Sequence, residues 1–355
     1  MPAAPADARL PLALTMGEPA GIGGEIALAA WLRRDAERLP PCFLIDDPRR
    51  LAALAGRLGL AVPVETIAGP EQALAAWPRA LPVLPLDAPV EALPGRPSAA
   101  TAGAVLDSIR RAVALVREGR AGAVVTNPIQ KSALYEAGFR HPGHTEFLAE
   151  LAGEGAVPIM MLACPELRVV PVTVHLSLRR AIETLTSAAI VQAGRITAAA
   201  LARDFAIARP RLAVAGLNPH AGEGGAMGAE DLETVAPAVA ELRDRGVEAV
   251  GPLPADTLFH AAARRRYDAA LCMYHDQALI PVKTLDFEGA VNVTLGLPFV
   301  RTSPDHGTAL DIAGSGKADP ASLIAALRLA GSMAEARARA GERPPAPRSG
   351  ATAFA

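Results

Sequence analysis

Short apolar runs alternate along the chain with longer segments whose apolar residues recur at helical spacing. Residues 10–15 predict a first strand that runs into a glycine-rich turn and then a helix over about 26–34. Residues 42–45 predict a second strand, and the Pro- and Ala-rich region 61–97 predicts short strands and loops. Ser98 or Thr101 can cap a helix whose face carries Val105, Ile109, Val113 and Val116, with Gly119 just past its end. Residues 123–126 form a buried strand, and a helix starts near Gly143-His144-Thr145-Glu146 with Thr145 as a natural N-cap. Three further strands, 167–174, 211–217 and 269–273, lead to His175, His220 and His275, with helices over about 187–205 and 230–245 between them. Strand-helix-strand repetition predicts an α/β fold with a parallel sheet whose carboxyl ends share one edge.

Composition narrows the class. With 355 residues the chain suits two domains or one large one. Hydrophobic residues at 51% and charged residues at 20% indicate a globular protein, and the 4% of aromatics is read as compositional bias. A net charge of −2 gives no basic field to attract nucleic acid. Cys42, Cys164 and Cys272 are scattered without a CxxC pair, which fits reduced thiols in the cytoplasm. The first residues lack the apolar core of a signal peptide, and no uncharged apolar run is long enough to span a bilayer. The Pro-rich tail, 341–355, is expected to be disordered.

Candidate chemistry gathers at the strand ends, where open α/β sheets place their sites. Three of the seven histidines share this placement, and three neutral imidazoles suit Zn²⁺ or a similar divalent ion with positions left for substrate. The helix start at His144-Thr145 offers free N–H groups to a phosphate, although Thr145 could simply cap. Between residues 267 and 316, glycines punctuate Lys283, Asn292, Arg301 and Asp305-His306-Gly307-Thr308-Ala309. The turn from Met16 to Glu25 lacks the third glycine of the dinucleotide fingerprint, since Ile26 stands there, and it is not a P-loop. It is either a tight turn or a wall of the site.

Several longer motifs stand in order. They are Gly17-Glu18-Pro19-Ala20-Gly21-Ile22-Gly23, Gly143-His144-Thr145-Glu146-Phe147, Asn218-Pro219-His220-Ala221-Gly222-Glu223, Gly251-Pro252-Leu253-Pro254-Ala255-Asp256-Thr257, Tyr274-His275-Asp276-Gln277 and Ser303-Pro304-Asp305-His306-Gly307-Thr308-Ala309. In these, from residue 10 to about 340, the chain resembles the 4-hydroxythreonine-4-phosphate dehydrogenases, NAD-dependent enzymes of pyridoxal phosphate biosynthesis. One departure is Thr126-Asn127-Pro128-Ile129-Gln130-Lys131, where some members have Gly at 127 and His at 130; it touches the wall of the phosphate pocket.

The resemblance implies the two-domain α/β fold of the isocitrate and isopropylmalate dehydrogenases, with mostly parallel sheets flanked by helices. It places residues 1–127 with 290–340 in one domain and 128–289 in a second, which carries the metal and dimer side. It puts one Zn²⁺, Mg²⁺ or Co²⁺ on His175, His220 and His275, and substrate on His144, Thr145, Lys283, Asn292 and Arg301. The loop carrying His306, Gly307, Thr308, Ala309 and Asp311 would seat the adenosine half of NAD. With no Arg or Lys between Arg301 and Lys317, that loop favours NAD over NADP. The implied reaction oxidises a phosphorylated hydroxy amino acid and then decarboxylates it. Asp256 is a candidate for proton transfer or, equally, a helix N-cap, and Lys283 is the second catalytic candidate. A homodimer with its site at the subunit interface is expected. Two readings compete: a paralogue acting on D-threonate or D-erythronate 4-phosphate or a cyclic diol carboxylate, and a binding protein that retains the fold without catalysis.

Overall fold

The computed structural model describes residues 10–141 and 143–341. The tail expected to be disordered lies, but for Gly341, outside the described residues, as do the first nine positions. Strands β1 (Leu12–Thr15), β2 (Cys42–Asp46), β3 (Val64–Thr66), β4 (Leu81–Pro85), β5 (Val124–Val125), β6 (Ile159–Cys164), β7 (Leu167–Pro171), β8 (Arg211–Ala215), β9 (Glu248–Leu253), β10 (Ala269–Cys272), β11 (Val291–Leu295) and β12 (Arg301–Pro304) alternate with helices. The contacts form two compact units. One holds the described residues up to Ala156 and from Leu297; the other is Val157–Gly296.

In the first unit the strands run parallel in the order β3-β4-β2-β1-β5-β12. Strands β1 and β2 are buried at every position, which is why they read as unbroken apolar runs rather than alternating ones. The helix Ala102–Arg117 buries Val105, Ile109, Val113 and Val116, as its period requires, in one cluster with Phe43 and Ile45. Phe147 and Leu148 of the helix His144–Ala152 join the same cluster. That burial carries the first unit past residue 127 to Ala156. At the other end, β11 pairs with β6 from Val291↔Ala163 to Leu295↔Ile159, which keeps it in the second unit.

The second unit has the order β11-β6-β7-β10-β8-β9. Strands β7, β10, β8 and β9 are parallel, whereas β6 is antiparallel to both neighbours. The turn at Pro165-Glu166 joining β6 to β7 is far too short for a parallel crossover. Among the described residues no single helix is long and apolar enough to cross a membrane.

Candidate active site

In the first unit β12 and two helix starts bring Arg301, His144 and Lys131 into one neighbourhood. Arg301 opens β12 opposite Val124, is 3% exposed, and donates from Nη2 to Thr126 Oγ1 at 2.6 Å. Burial brings its pKa down to about 10, so it stays charged at neutral pH. Burial, then the charges of Arg301 and Lys131, hold the imidazole of His144 well below its ordinary pKa, so that side chain is neutral. Its Nε2 is enclosed and has no hydrogen-bond partner among the described residues. A polar atom buried in that way calls for a partner, which water, an ion or a ligand can supply. The N-cap of this helix is Gly143, and Thr145 lies inside the first turn, which corrects the expectation that Thr145 caps. A Cβ on Gly143 would come within 3.5 Å of Lys131 Cε, so the lysine lies along the helix start.

Lys131 is absent from the sequence-derived site. The signal was its position: it is the first residue of the helix Lys131–Glu136, where a cation opposes the helix dipole. The other expected substrate residues belong to the second unit. Lys283 sits in the last turn of the helix His275–Leu285, its ammonium 5.4 Å from the Phe287 ring, and Asn292 lies on β11 opposite Leu162.

The histidines follow three adjacent parallel strands, β7, β10 and β8. The structure brings His175 and His275 together, with ring centroids 5.7 Å apart and planes tilted by 42°. Two imidazoles on one tetrahedral ion place their centroids about 5–6 Å apart, given metal–nitrogen bonds of about 2.0–2.1 Å. His275 Nδ1 lies 2.7 Å from Asp276 Oδ1, which orients the ring and leaves Nε2 for a ligand. His220 stands in a left-handed run through Gly224, braced where the carboxylate of Asp231 accepts from the N–H groups of Leu217 and Asn218. The described residues contain no group of three His, Cys, Asp or Glu side chains placed to hold a metal ion. His175 and His220 are exposed. Exposed apolar side chains follow each histidine: Leu178 after His175, Leu232 after His220, and Ile280 and Phe287 after His275. Asp256 is exposed in the turn Ala255–Thr257, which packs against the His220 segment; Pro254 is the N-cap, so Asp256 does not cap.

The glycine-rich turn and the 306–314 loop are built against each other. Ile22 N–H donates to Thr308 O at 3.1 Å, and a Cβ on Gly21 would meet that oxygen at 2.8 Å, so only glycine permits the approach. Thr308 Oγ1 donates to Gln130 Oε1 at 2.9 Å. Buried Glu25 accepts from Gly314 N at 2.9 Å and from Ala318 N at 3.4 Å, which fixes the far end of the loop. Ala309 takes a positive φ of 43°, His306 Nδ1 lies 2.9 Å from Gly307 O, and Asp311 is exposed. Beside the loop lies a cavity of about 710 Å³ whose lining includes Glu18, Arg50, Arg57, Arg96, Thr101 and Gly314. Burial raises the pKa of Glu18, opposed by the Ala20 N–H and by Arg50. The turn is therefore both tight and a wall of a cavity of ligand size.

Comparison with known proteins gives the family and the fold. The family described as "Pyridoxal phosphate biosynthetic protein PdxA" matches residues 38–330. A 4-hydroxythreonine-4-phosphate dehydrogenase from Bradyrhizobium diazoefficiens is 60% identical over 337 residues, covering 92% of this chain and 98% of that protein. The crystal structure of a 4-hydroxythreonine-4-phosphate dehydrogenase from Klebsiella pneumoniae superposes with a TM-score of 0.83 at 39% identity, over 92% of this chain and 99% of that one. A terephthalate 1,2-cis-dihydrodiol dehydrogenase from Burkholderia xenovorans is more distant, with a TM-score of 0.63 at 31% identity over 91% and 98% of the two chains.

Proposed function

The chain belongs to the family of the pyridoxal phosphate biosynthetic protein PdxA, and we propose that it oxidises 4-hydroxy-L-threonine 4-phosphate with NAD. The product, 2-amino-3-oxo-4-phosphooxybutanoate, then loses CO₂ to give 3-amino-2-oxopropyl phosphate. The observation that carries the reading is one neighbourhood: a buried, charged Arg301 beside a neutral His144 at a helix start, with Lys131 alongside. A phosphate there gains charge-assisted bonds from the cation and N–H groups from the helix. Thr145, Lys283 and Asn292 complete the proposed substrate set. The likeness to the dihydrodiol dehydrogenase favours the cyclic-diol reading less, because a phosphate pocket has no use with an unphosphorylated diol.

Some residues offer partners to the groups such a reaction needs, although no three of the described side chains gather to hold an ion. The paired rings of His175 and His275 have the spacing of two ligands on one ion, with His220 as the proposed third. A divalent ion there supplies Lewis acidity to the substrate alcohol and to the charge that develops on decarboxylation. The 306–314 loop, held by Ile22 and Glu25 beside the cavity, suits the adenosine half of NAD. Bound NAD would supply the hydride acceptor, and Asp256 is the proposed acceptor of the hydroxyl proton. Exposed histidines followed by exposed apolar side chains support a homodimer with the site at its interface. The buried free thiols Cys42, Cys164 and Cys272 suit work in a reducing cytoplasm.

The test is NADH formation by purified protein with a panel of phosphorylated hydroxy acids. Turnover is expected with 4-hydroxythreonine 4-phosphate, lost to a chelator and restored by a divalent ion. Turnover of D-erythronate 4-phosphate alone would favour the paralogue, and no turnover of any hydroxy acid would remove the dehydrogenase reading.

A further inference from the structure

The three histidine segments leave the sheet where its backbone ladder stops. The last pairs are Pro171↔Cys272 between β7 and β10 and Val214↔Leu271 between β8 and β10. Beyond them two buried side chains continue the lateral bonding. Thr173 Oγ1 donates to Met273 O at 2.8 Å, and Gln277 Nε2 donates to Gly216 O at 2.7 Å. Gln277 Oε1 also accepts from Met273 N at 2.6 Å, so one amide ties Met273 to Gly216. Thr173 and Met273 each stand two residues before a histidine, and Gly216 stands four before His220.

The backbone that follows is strained. His175 has a φ of 54°, His220 and Ala221 of 52° and Glu223 of 44°. Residues with a Cβ seldom occupy that region, and they stay there only where the surroundings impose it. A Cβ on Gly216 would meet Ala221 Cα at 2.7 Å, so the His220 segment folds back over the bonded peptide. Gln277 is the third residue of the helix His275–Leu285, a position from which Gln or Glu reaches back to cap a helix start. Capping accounts for the bond from Met273 N. It does not account for the bond to Gly216 O, 61 positions away, and an ionised glutamate, which would cap equally well, has no proton for that oxygen.

We propose that Gln277, with Thr173, is a positioning residue for the three histidines. The two side chains fix the ends of β7, β10 and β8 relative to one another, and with them the placement of His175, His275 and His220. The inference rests on the reading of these histidines as part of the reacting site, and it adds the groups that set their spacing. Both side chains act through backbone groups rather than on the substrate.

Hydrogen exchange of the full chain, read by mass spectrometry, follows the placement without requiring turnover. Gln277→Met keeps the length of the side chain and removes both bonds, so exchange should quicken across 216–224 as well as across 274–280. Thr173→Val should quicken exchange across 173–176, and Thr173→Ser, which keeps the hydroxyl, should match the wild type. In the proposed reaction kcat should fall about tenfold or more for Gln277→Met and Thr173→Val, with KM for the phosphorylated substrate changed less than about threefold, since His144 and Arg301 stay in place. Thr173→Ser should retain kcat. Circular dichroism checks folding, and if Gln277→Met does not fold, the Thr173 pair decides the outcome. Faster exchange confined to 274–280 would make Gln277 a helix cap alone and overturn the proposal, as would an unchanged kcat in the folded variants. Faster exchange across 216–224 in a protein that oxidises no hydroxy acid would uphold the positioning role and remove the dehydrogenase reading.

Discussion

The neutrality of His144 follows from its surroundings. Burial and two neighbouring cations disfavour its protonated form, so it binds a proton more tightly in the unfolded chain, where its pKa is about 6.5, than in the folded one. Stability from this group is therefore present above the unfolded value and is lost as pH falls through it towards the lower folded value. His144→Gln removes that acid sensitivity. Its Tm should fall less than that of the wild type when the pH is lowered from about 7.5 to about 5. Parallel Tm curves for the two proteins would assign the acid sensitivity to other groups. In the proposed substrate site the same neutrality leaves Arg301 and Lys131 as the charged groups beside His144.

At the scale of elements, helix Ala102–Arg117 shows a periodic pattern with a polar residue on its buried side. Ser108 is fully buried, three positions from Val105. Its hydroxyl accepts from Met16 N at 2.9 Å and donates to Ile45 O at 2.8 Å, so one side chain ties the helix to the ends of β1 and β2. Ser108→Ala leaves a buried N–H and a buried carbonyl without that partner, and should cost about 1–3 kcal/mol. Urea unfolding checks this through a lower midpoint at unchanged slope; a shift within error would mean that water or local movement satisfies both groups. The apolar residues of this helix were legible because burial repeats with the helical period. Ser108 was not, because its partners are 92 and 63 residues away.

At the scale of the molecule, the histidines make a claim about assembly. The proposed dimer has two histidines of each metal site from one subunit and one from the other. Single variants His175→Ala, His220→Ala and His275→Ala, each inactive alone, can be mixed pairwise under conditions that exchange subunits. Lesions in residues from different subunits leave a heterodimer with one intact site, so two of the three mixtures should regain activity. The pair that stays inactive identifies the ligands that share a subunit, and the facing rings of His175 and His275 make that pair the expected one. Activity in no mixture, with exchange verified, would mean that each site is built within one chain.

The sequence by itself determined what depends on short spacings. Apolar runs marked the buried parallel strands, the helical period marked the buried faces, and the strand ends marked His175, His220 and His275. Its motifs were long enough to indicate the family. Only the tertiary structure decided contacts between distant segments. Arg301 reaches Thr126 over 175 positions, Thr308 reaches Gln130 over 178, and Gly314 reaches Glu25 over 289. Parallel pairing of β12 with β5 and of β5 with β1 lays these segments side by side, and no local spacing encodes that neighbourhood. Packing likewise set Gly143 rather than Thr145 at the helix start and brought Lys131 beside it. It also brought Gln277 to Gly216, because the partners of a side chain are chosen by the sheet that seats its helix.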